Sequence, residues 1–582
     1  MEVSPPEIRQ IPYKLSDGQE KEAVVLPVQV NLKGLSPLEL KVLRHLSEAV
    51  DGINPIYAQQ QDHRVMPLLN AVLKFAEQLS GEQSQMVRDY ATLLAARAGI
   101  YDIFGKSYVF PIPRDKLPKN CQILEFEEIL WGAPAPEPGR ALYPPGVSKK
   151  DVEALKQHRD TVNSTVVRSA DGKLVAILNE ERFKEVLKPV ISALRKARDT
   201  ANDPNLKSYI DAKIDELESG TKEARRASDL AWLENNSGID FTLGTGVETY
   251  LDKLMGWRGA ALGAVLVINQ EYEQFANALL GLMDVFESEA PWLYKKRVNR
   301  DNLPRLRFVD VLNWAGFYNV FPSVVVAQSL PNDKEVVDKY GSVNLIFCNI
   351  NLAISRVSSE KWAELFFVPS EVSGILGVMP SIGLKMTALH ELGHTTGRVL
   401  YKKEPHTHFG DKYAIMEEAR AELFSMGALS MLVEEGLITE EEKIAGYYSM
   451  LESLLSALRF PPIDHSGARN IMFHYFLEQG AVRKVKHKGK VRFVVDPARM
   501  EEAIPELLGY IGNIKALGWV DAVDSLVARY VSTSRRAWIT KATADLPLGR
   551  ALIFPEVLSN GQTRYPASFL DQRRIRVLYQ SH

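Results

Sequence analysis

The residues best suited to chemistry are two histidines four positions apart, with a glutamate directly after the first. They occur in the pentapeptide His390-Glu391-Leu392-Gly393-His394. In a helix, residues four apart lie on one face, one turn from each other, so both imidazoles can direct a nitrogen at the same metal ion. Glu391 can contact a water on that metal without occupying a ligand position. This pattern is the H-E-x-x-H signature of a zinc site.

A second acidic motif follows in the chain, and it offers the carboxylate that a catalytic zinc still needs. It reads Glu417-Glu418-Ala419-Arg420-Ala421-Glu422. Hydrophobic periodicity predicts a helix over residues 385–400 and another over 415–432. A carboxylate-bearing helix beside a two-histidine helix is the expected layout of a His-His-Glu site with one open position. We therefore predict one Zn²⁺ per chain, held by His390, His394 and Glu418, with Glu417 or Glu422 as the alternatives for the third ligand.

Composition indicates an ordinary soluble protein with more than one core. The chain has 582 residues, 46% hydrophobic and 25% charged, with a net charge of −3. The near-neutral charge argues against a dedicated nucleic-acid binder, and the two cysteines are too few for a disulfide framework. We find no signal peptide and no apolar run long enough to span a membrane. We therefore expect a cytoplasmic protein with neither nucleic-acid nor membrane partners.

The pattern of elements predicts an α+β chain that is mostly helical. We expect helices over residues 37–104 and 149–235, with a loop-rich segment at 106–147 between them. Apolar runs predict strands near 261–269, 306–328 and 343–357. A further helix is expected over 465–477, and a β-hairpin over 484–495.

Further motifs, taken with the two described above, resemble those of the dipeptidyl-peptidase III family. Gly246-Val247-Glu248-Thr249-Tyr250 is similar to the family's E-[ST]-Y block. Ser329-Leu330-Pro331-Asn332 resembles its N-x-P-N block, and Asp464-His465-Ser466-Gly467-Ala468-Arg469 its H-x-x-A-R block. The chain departs from the common pattern in three places. The zinc motif is a pentapeptide rather than a hexapeptide, as in some bacterial members and the peptidase-like part of plant Nudix proteins. Ala419 replaces a cysteine, and Ser329 replaces an asparagine.

The resemblance implies roles that spacing alone does not. Tyr250 and His465 would stabilise the oxyanion of the reaction intermediate. Glu248 and Asn332, with Ser329 at the third position of this clamp, would bind the free amine of a peptide. Glu417 and Glu422 would orient the zinc histidines from outside the metal's own ligand set.

The family's fold has two lobes around a wide cleft, one helical and zinc-binding and the other with a β core. By motif position, the lobe with the β core would comprise residues 1–268, 313–358 and 546–582. The helical zinc lobe would comprise residues 359–545, with 269–312 as an insertion that belongs to it.

Together these features predict a zinc metallopeptidase that releases dipeptides from the free N-terminus of short peptides. A zinc-activated water would attack the peptide bond, with Glu391 as general base. We expect a monomer or homodimer. Two alternatives stay open: a zinc hydrolase on the same scaffold with another amide or ester substrate, and a non-catalytic peptide-binding protein.

Overall fold

The computed structural model describes residues 5–136, 140–155, 162–252, 254, 256–300 and 303–580. Most of the elements are helices. The strands are β1 Arg9–Lys14, β2 Glu20–Pro27, β3 Ser164–Arg168, β4 Leu174–Leu178, β5 Ile239–Asp252, β6 Gly256–Ile268, β7 Arg305–Gly316, β8 Ala327–Leu330, β9 Val343–Phe347, β10 Val482–His487, β11 Lys490–Val495, β12 Gly549–Ile553, β13 Glu556–Val557 and β14 Thr563–Arg564.

The helices begin after the first two strands and make up most of the second half of the described chain. They are α1 Pro37–Asp51, α2 Ile53–Gln61, α3 Val65–Glu77, α4 Gly81–Arg97, α5 Glu127–Leu130, α6 Lys149–Leu155, α7 Asn179–Arg182, α8 Lys184–Thr200, α9 Pro204–Ser219, α10 Lys222–Glu234, α11 Gln270–Gly281, α12 Met283–Glu289, α13 Lys334–Tyr340, α14 Cys348–Phe366, α15 Pro369–Val372, α16 Met379–Gly393, α17 Pro405–Phe409, α18 Tyr413–Glu434, α19 Glu440–Ala457, α20 Asp464–Glu478, α21 Pro497–Leu517, α22 Val520–Tyr530, α23 Arg536–Ala542 and α24 Arg573–Arg576.

A five-stranded mixed sheet with the order β5-β6-β7-β9-β8 forms the β core. The pairs β5–β6, β6–β7 and β8–β9 are antiparallel, and β7–β9 is parallel. Strand β6 is buried along almost its whole length, as its continuous apolar sequence requires. The edge strands β5 and β8 lie close to each other at one point, where Gln328 on β8 donates a hydrogen bond to Glu248 on β5.

Two large hydrophobic cores divide the described residues. The first core joins the sheet to helices α1–α4 and α8–α10 and to the C-terminal segment. The second core is built mainly from α16 and α18–α21, with α11 and α12 added from earlier in the chain. Strand β9 lies between the two cores: Leu345 and Phe347 pack in the first, and Ile346 packs in the second. The sheet therefore supports both lobes, one on each face.

The predicted domain division stays a prediction, although the two cores follow similar segments. The boundary at residues 312 and 313 falls inside β7. Leu306 and Phe308, early in this strand, pack in the second core, whereas Val309 and Val311 pack in the first.

Three predicted elements differ from the structure. The helical segment at 149–235 contains the β3–β4 hairpin, whose turn includes Asp171-Gly172, a recognised turn sequence; residues 156–161 of this segment lie outside the described part. Strand β5 was not predicted, because its glycines and threonine interrupt any alternation of apolar residues. The segment 343–357 is a strand only as far as Phe347, and then continues as α14. Short apolar runs do not by themselves distinguish a strand from a buried helix.

The other predicted elements of the second lobe are present. Helix α18 covers the predicted 415–432, helix α20 covers 465–477, and β10 and β11 form the hairpin predicted over 484–495. No described helix has both the length and the apolar character that crossing a membrane demands.

Removing a side chain from the second core should destabilise the protein strongly. Leu451 on α19 is fully buried, so Leu451→Ala is expected to lower the free energy of unfolding by about 2–5 kcal/mol through lost burial and the cavity left behind. Leu400→Ala is the matched control, because Leu400 is 43% exposed and its loss should cost under about 0.5 kcal/mol. Chemical denaturation followed by tryptophan fluorescence measures both. Equal costs for the two variants would contradict this assignment of the core.

Candidate metal centre

Helices α16 and α18 carry the two sequence motifs, and they pack closely together at Gly393. Gly393 ends α16 at the contact. A Cβ on this residue would lie 3.0 Å from Cδ1 of Phe424 and 3.2 Å from Cα of Ala421. The glycine, costly inside a helix, therefore permits the approach of the two motifs.

Helix α16 begins earlier and ends sooner than predicted. It spans Met379–Gly393 rather than residues 385–400, so His394 is its C-terminal cap residue and still has helical dihedral angles. The helix ends there in a turn at His394 and Thr395, and Gly397 follows with a φ of +78°. His390 and His394 nevertheless remain one turn apart on the same face.

Two histidines and one glutamate bring their donor atoms together. Nε2 of His390 and Nε2 of His394 lie 3.1 Å apart. Oε2 of Glu418 lies 3.2 Å from Nε2 of His390 and 3.8 Å from Nε2 of His394. These three residues form the one group of potential metal ligands found among the described part of the chain. Of the three acidic candidates for the third ligand, Glu418 is the one in this group.

The unsatisfied atoms of this group fit a bound cation. Oε2 of Glu418 is buried and has no well-aligned hydrogen bond within the described structure, although imidazole nitrogens approach it. Two imidazole nitrogens and a carboxylate oxygen match the donors that Zn²⁺ prefers. A buried carboxylate oxygen without a well-aligned hydrogen bond is costly, and a metal ion would satisfy it.

The electrostatics of the group also favour positive charge. Burial lowers the pKa of His390, but the carboxylates of Glu418, Glu422 and Glu391 outweigh burial and raise it to about 9. Burial raises the pKa of Glu418, but the contact with His390 and the nearby histidines lower it to about 2. The site therefore has a negative potential that a divalent cation would neutralise.

Glu417 supports His394 from the side away from the other ligands. Its Oε1 lies 3.2 Å from Nδ1 of His394 and accepts a hydrogen bond of 3.0 Å from Lys515. Its Oε2 accepts one of 3.0 Å from Nε of Arg420. Burial raises the pKa of Glu417, but the two cations hold it well below the ordinary value. A carboxylate on the outer nitrogen of a metal-binding histidine fixes the tautomer and direction of the ring.

Glu422 and His465 lie on the other side of the group. Oε1 of Glu422 accepts a hydrogen bond of 2.8 Å from Nε of Arg469. Arg469 and His465 share helix α20, and Nδ1 of His465 lies 3.1 Å from Oε2 of Glu418. The motif at residues 464–469 therefore lies next to the metal-binding group. Glu422 contributes charge near His390 while it bonds Arg469.

A polar network fixes the turn that follows His394. Arg420 donates to the carbonyl of Gly393 at 2.7 Å and to Oγ1 of Thr396 at 2.8 Å. Glu287, on helix α12, accepts from the backbone N–H of Gly397 at 2.9 Å and from the indole of Trp292 at 3.1 Å. Helix α12 therefore helps to hold the end of the histidine helix in place.

The remaining predicted residues lie in the other lobe, on β5 and at the end of β8. Glu248 is bonded by Gln328 at 2.6 Å, and Asn332 donates to the carbonyl of Val247 at 2.8 Å. Ser329 is exposed on β8, opposite Asn344. Tyr250 packs at the edge of the first core, with the guanidinium of Arg140 over its ring at 5.9 Å. Among the described residues, no hydrogen bond or ion pair joins these four to the metal-binding group.

Several residues of the site were not predicted from the sequence. Lys515, Gln328 and Arg469 contact predicted residues from distant elements. Arg420 could have been predicted from local spacing, because it lies three positions after Glu417 on the same helix and can pair with it.

His406 and His408 also lie between the two motifs. His406 is exposed, and His408 contacts the carbonyl of Gly518 at 2.8 Å.

Comparison with known proteins agrees with the motifs. The profile of peptidase family M49 matches residues 150–429, which include both metal motifs. The resemblance to the dipeptidyl-peptidase III family is confirmed. Among curated relatives, Nudix hydrolase 3 of Arabidopsis thaliana is 25% identical over 401 residues, covering 66% of this chain and 49% of the relative. Dipeptidyl peptidase 3 of Rattus norvegicus is 21% identical over 417 residues, covering 64% and 53%. The chain thus spans about half the length of these curated relatives.

Solved structures from this family share the fold. The dipeptidyl-peptidase III of Caldithrix abyssi superposes with a TM-score of 0.78 at 22% identity, covering 91% of this chain and 97% of the other. The enzyme of Corallococcus sp. strain EGB gives a TM-score of 0.71 at 20% identity, covering 90% and 94%. The predicted fold class, a mostly helical α+β chain with two lobes around a cleft, is confirmed.

Removal of the third ligand should abolish tight metal binding. Glu418→Ala is expected to retain less than about a tenth of the wild-type zinc after dialysis, because a metal ligand is lost. Elemental analysis of the dialysed protein measures this. Glu434→Gln, an exposed change on the same helix, is the control and should keep full zinc. Wild-type zinc content in the Glu418 variant would instead assign the third ligand to Glu417 or Glu422.

Proposed function

We propose that this protein is a zinc-dependent exopeptidase that releases dipeptides from the free N-terminus of short peptides. The observation that carries the proposal is the group formed by His390, His394 and Glu418, with Glu391 on the same helix as the two histidines. The match to a family of peptidases supports the same class of reaction.

Different residues of the chain would bind the metal and transfer the proton. His390, His394 and Glu418 would hold Zn²⁺, which when bound acts as a Lewis acid and lowers the pKa of a water molecule. Glu391 is half-buried beside His390. Its carboxylate would accept the proton of the attacking water and deliver it to the leaving amine.

Two further residues would stabilise the negative charge that develops on the carbonyl oxygen. His465 is held near the metal ligands by its contact with Glu418, and its ring centre lies 5.8 Å from that of His390. Tyr250 would contribute its hydroxyl from the other lobe. Burial raises the pKa of Tyr250 to about 12, so the phenol stays protonated and can donate a hydrogen bond. Closure of the cleft would bring the two donors to one substrate.

A peptide's free amine would be bound at the ends of β5 and β8. Glu248 supplies a half-buried carboxylate there, and its partial burial raises its pKa; a bound ammonium group would favour its ionised form. Asn332 and Ser329 lie nearby on the β8 side. A fixed distance from this clamp to the metal would set the cut two residues from the N-terminus. We further propose that the protein acts in the cytoplasm on short peptides, as a monomer or homodimer, without nucleic-acid or membrane partners.

One observation favours a second candidate function. Ser329 stands where the family's block has an asparagine, so the amine clamp has a shorter side chain with a hydroxyl in place of a carboxamide. A zinc hydrolase on this scaffold that acts on a different amide or ester would show this combination of complete metal ligands and altered clamp.

The products from a short peptide test the proposal. The zinc-loaded protein is incubated with penta-alanine and with N-acetylated penta-alanine, and the products are identified by mass spectrometry. We expect release of Ala-Ala from the free-amine peptide and a rate at least about 100-fold lower for the acetylated one, since its amine can no longer pair with Glu248. Cleavage elsewhere, or equal rates, would favour the second candidate. Peptide binding without cleavage would indicate a non-catalytic protein.

Replacement of the proposed base should separate metal binding from catalysis. Glu391→Gln keeps the shape of the side chain but cannot accept a proton, so we expect full zinc content and a kcat lower by about 10²–10⁴-fold. Elemental analysis and steady-state kinetics on the same sample measure both quantities. Near-normal turnover by the zinc-loaded variant would remove Glu391 from this role.

A further inference from the structure

Strand β5 carries a β-bulge immediately before Glu248. Gly244 pairs with Leu262 on β6, and the next pair is Glu248 with Ala260. Three residues of β5, 245–247, therefore face one residue of β6, Ala261. In an unbroken ladder Gly246 would lie opposite Ala260, so the bulge moves Glu248 into that position. Bulges beside functional sites commonly re-aim a side chain in this way.

The side chain of Gln60 bridges the two strands across this bulge. Gln60 lies near the end of α2 and is 2% exposed. Its Nε2 donates to the carbonyl of Thr245 at 2.9 Å, and its Oε1 accepts from the N–H of Ala261 at 2.9 Å. One amide thus bonds a carbonyl of β5 and an N–H of β6 where the pairing of the strands is interrupted. Buried backbone groups need such partners.

Other side chains hold the bulge from its remaining sides. Oγ1 of Thr245 donates to Glu180 at 2.6 Å, and Asn179 approaches the carbonyl of Thr245 at 3.4 Å. Asn332 donates to the carbonyl of Val247 at 2.8 Å. Of these contacts, the one through Gln60 joins both strands, so it is the one that fixes their relative register.

We infer that Gln60 is a positioning residue that sets the register of β5, and through it the places of Glu248 and Tyr250. The inference rests on the proposed function for the importance of these two residues. Gln60 itself is buried behind the sheet and would act through the bulge. Loss of the bridge would leave the buried N–H of Ala261 without this partner and the carbonyl of Thr245 with the longer contact from Asn179, so the bulge would rearrange to restore the lost hydrogen bonds.

The chain offers matched controls for this test. Gln59, Gln60 and Gln61 are consecutive on α2, and the first and last are only half-buried. Gln60→Leu removes both hydrogen bonds at similar volume, and Gln60→Glu removes only the donor to Thr245. Gln59→Leu and Gln61→Leu make the same chemical change at the two adjacent positions, which face other directions around the helix. The isosteric Gln60→Glu also provides a second variant should Gln60→Leu fail to fold.

The kinetic test compares free-amine and N-acetylated penta-alanine as substrates of the zinc-loaded variants. We expect kcat/KM for the free-amine peptide to fall by about 100-fold in the Gln60 variants. The preference over the acetylated peptide should shrink with it, while zinc content stays at the wild-type level. The Gln59 and Gln61 variants should match the wild type. An equal loss for both peptides, or a loss of zinc, would show a general structural role and overturn the inference.

Hydrogen–deuterium exchange separates a failure of this inference from a failure of the proposed function. If the wild type cleaves neither peptide, the proposed function fails, but the claim about register can still be measured. Exchange of the amides of residues 245–250 should be at least about tenfold faster in the Gln60 variants than in the Gln59 variant, since opening of the bulge becomes easier. Unchanged exchange there would overturn the inference whatever the activity.

Discussion

The metal centre depends on the ion pairs and hydrogen bonds of one buried carboxylate, that of Glu417. A buried negative charge is costly unless it is paired and hydrogen-bonded. Here Arg420 and Lys515 supply two cations and His394 supplies a ring nitrogen. Burial and the charge of Arg420 lower the pKa of Lys515 to about 8, so Glu417 is what keeps this lysine charged. Three helices, α16, α18 and α21, meet at this one side chain, and the direction of the His394 ring follows from it.

The division into two lobes explains why the remaining functional residues are held by different means. The metal ligands are fixed by helix packing, with Gly393 permitting the close approach of α16 and α18. The residues proposed to bind substrate are fixed by the sheet, where the bulge and the amide of Gln60 determine which side chain stands opposite Ala260. Each of the two groups of residues is therefore positioned by the hydrophobic core of its own lobe. Reaction at the metal then requires a substrate that contacts both halves.

The sequence predicted the metal group because its information is local. His390 and His394 are four positions apart, and helical geometry places residues at that spacing on a shared face. Glu418 could be named only with alternatives, because nothing local distinguishes it from Glu417 and Glu422. Resemblance to a family supplied His465, Glu248, Tyr250 and Asn332, whose roles stay predictions.

The supporting residues could not be predicted in the same way. Lys515 lies 98 positions after Glu417, and Gln60 lies 185 positions before Thr245. Each is brought to its partner by tertiary packing, and neither has a neighbouring motif that would mark it. The end of α16 was also misplaced, since the turn at Gly397 depends on Glu287, far away in the chain. Most of the features that the sequence did not predict therefore depend on contacts between elements that are distant in the chain.

The most direct measurement of the central claim is zinc K-edge X-ray absorption on the zinc-loaded protein. The account predicts two imidazole nitrogens and one carboxylate oxygen at about 2.0–2.2 Å, with a remaining position that exchanges with solvent or added anions. His465, close to Glu418, would not be a ligand. A spectrum with three imidazoles, or with four protein ligands and no exchangeable position, would contradict a hydrolytic metal centre built from His390, His394 and Glu418.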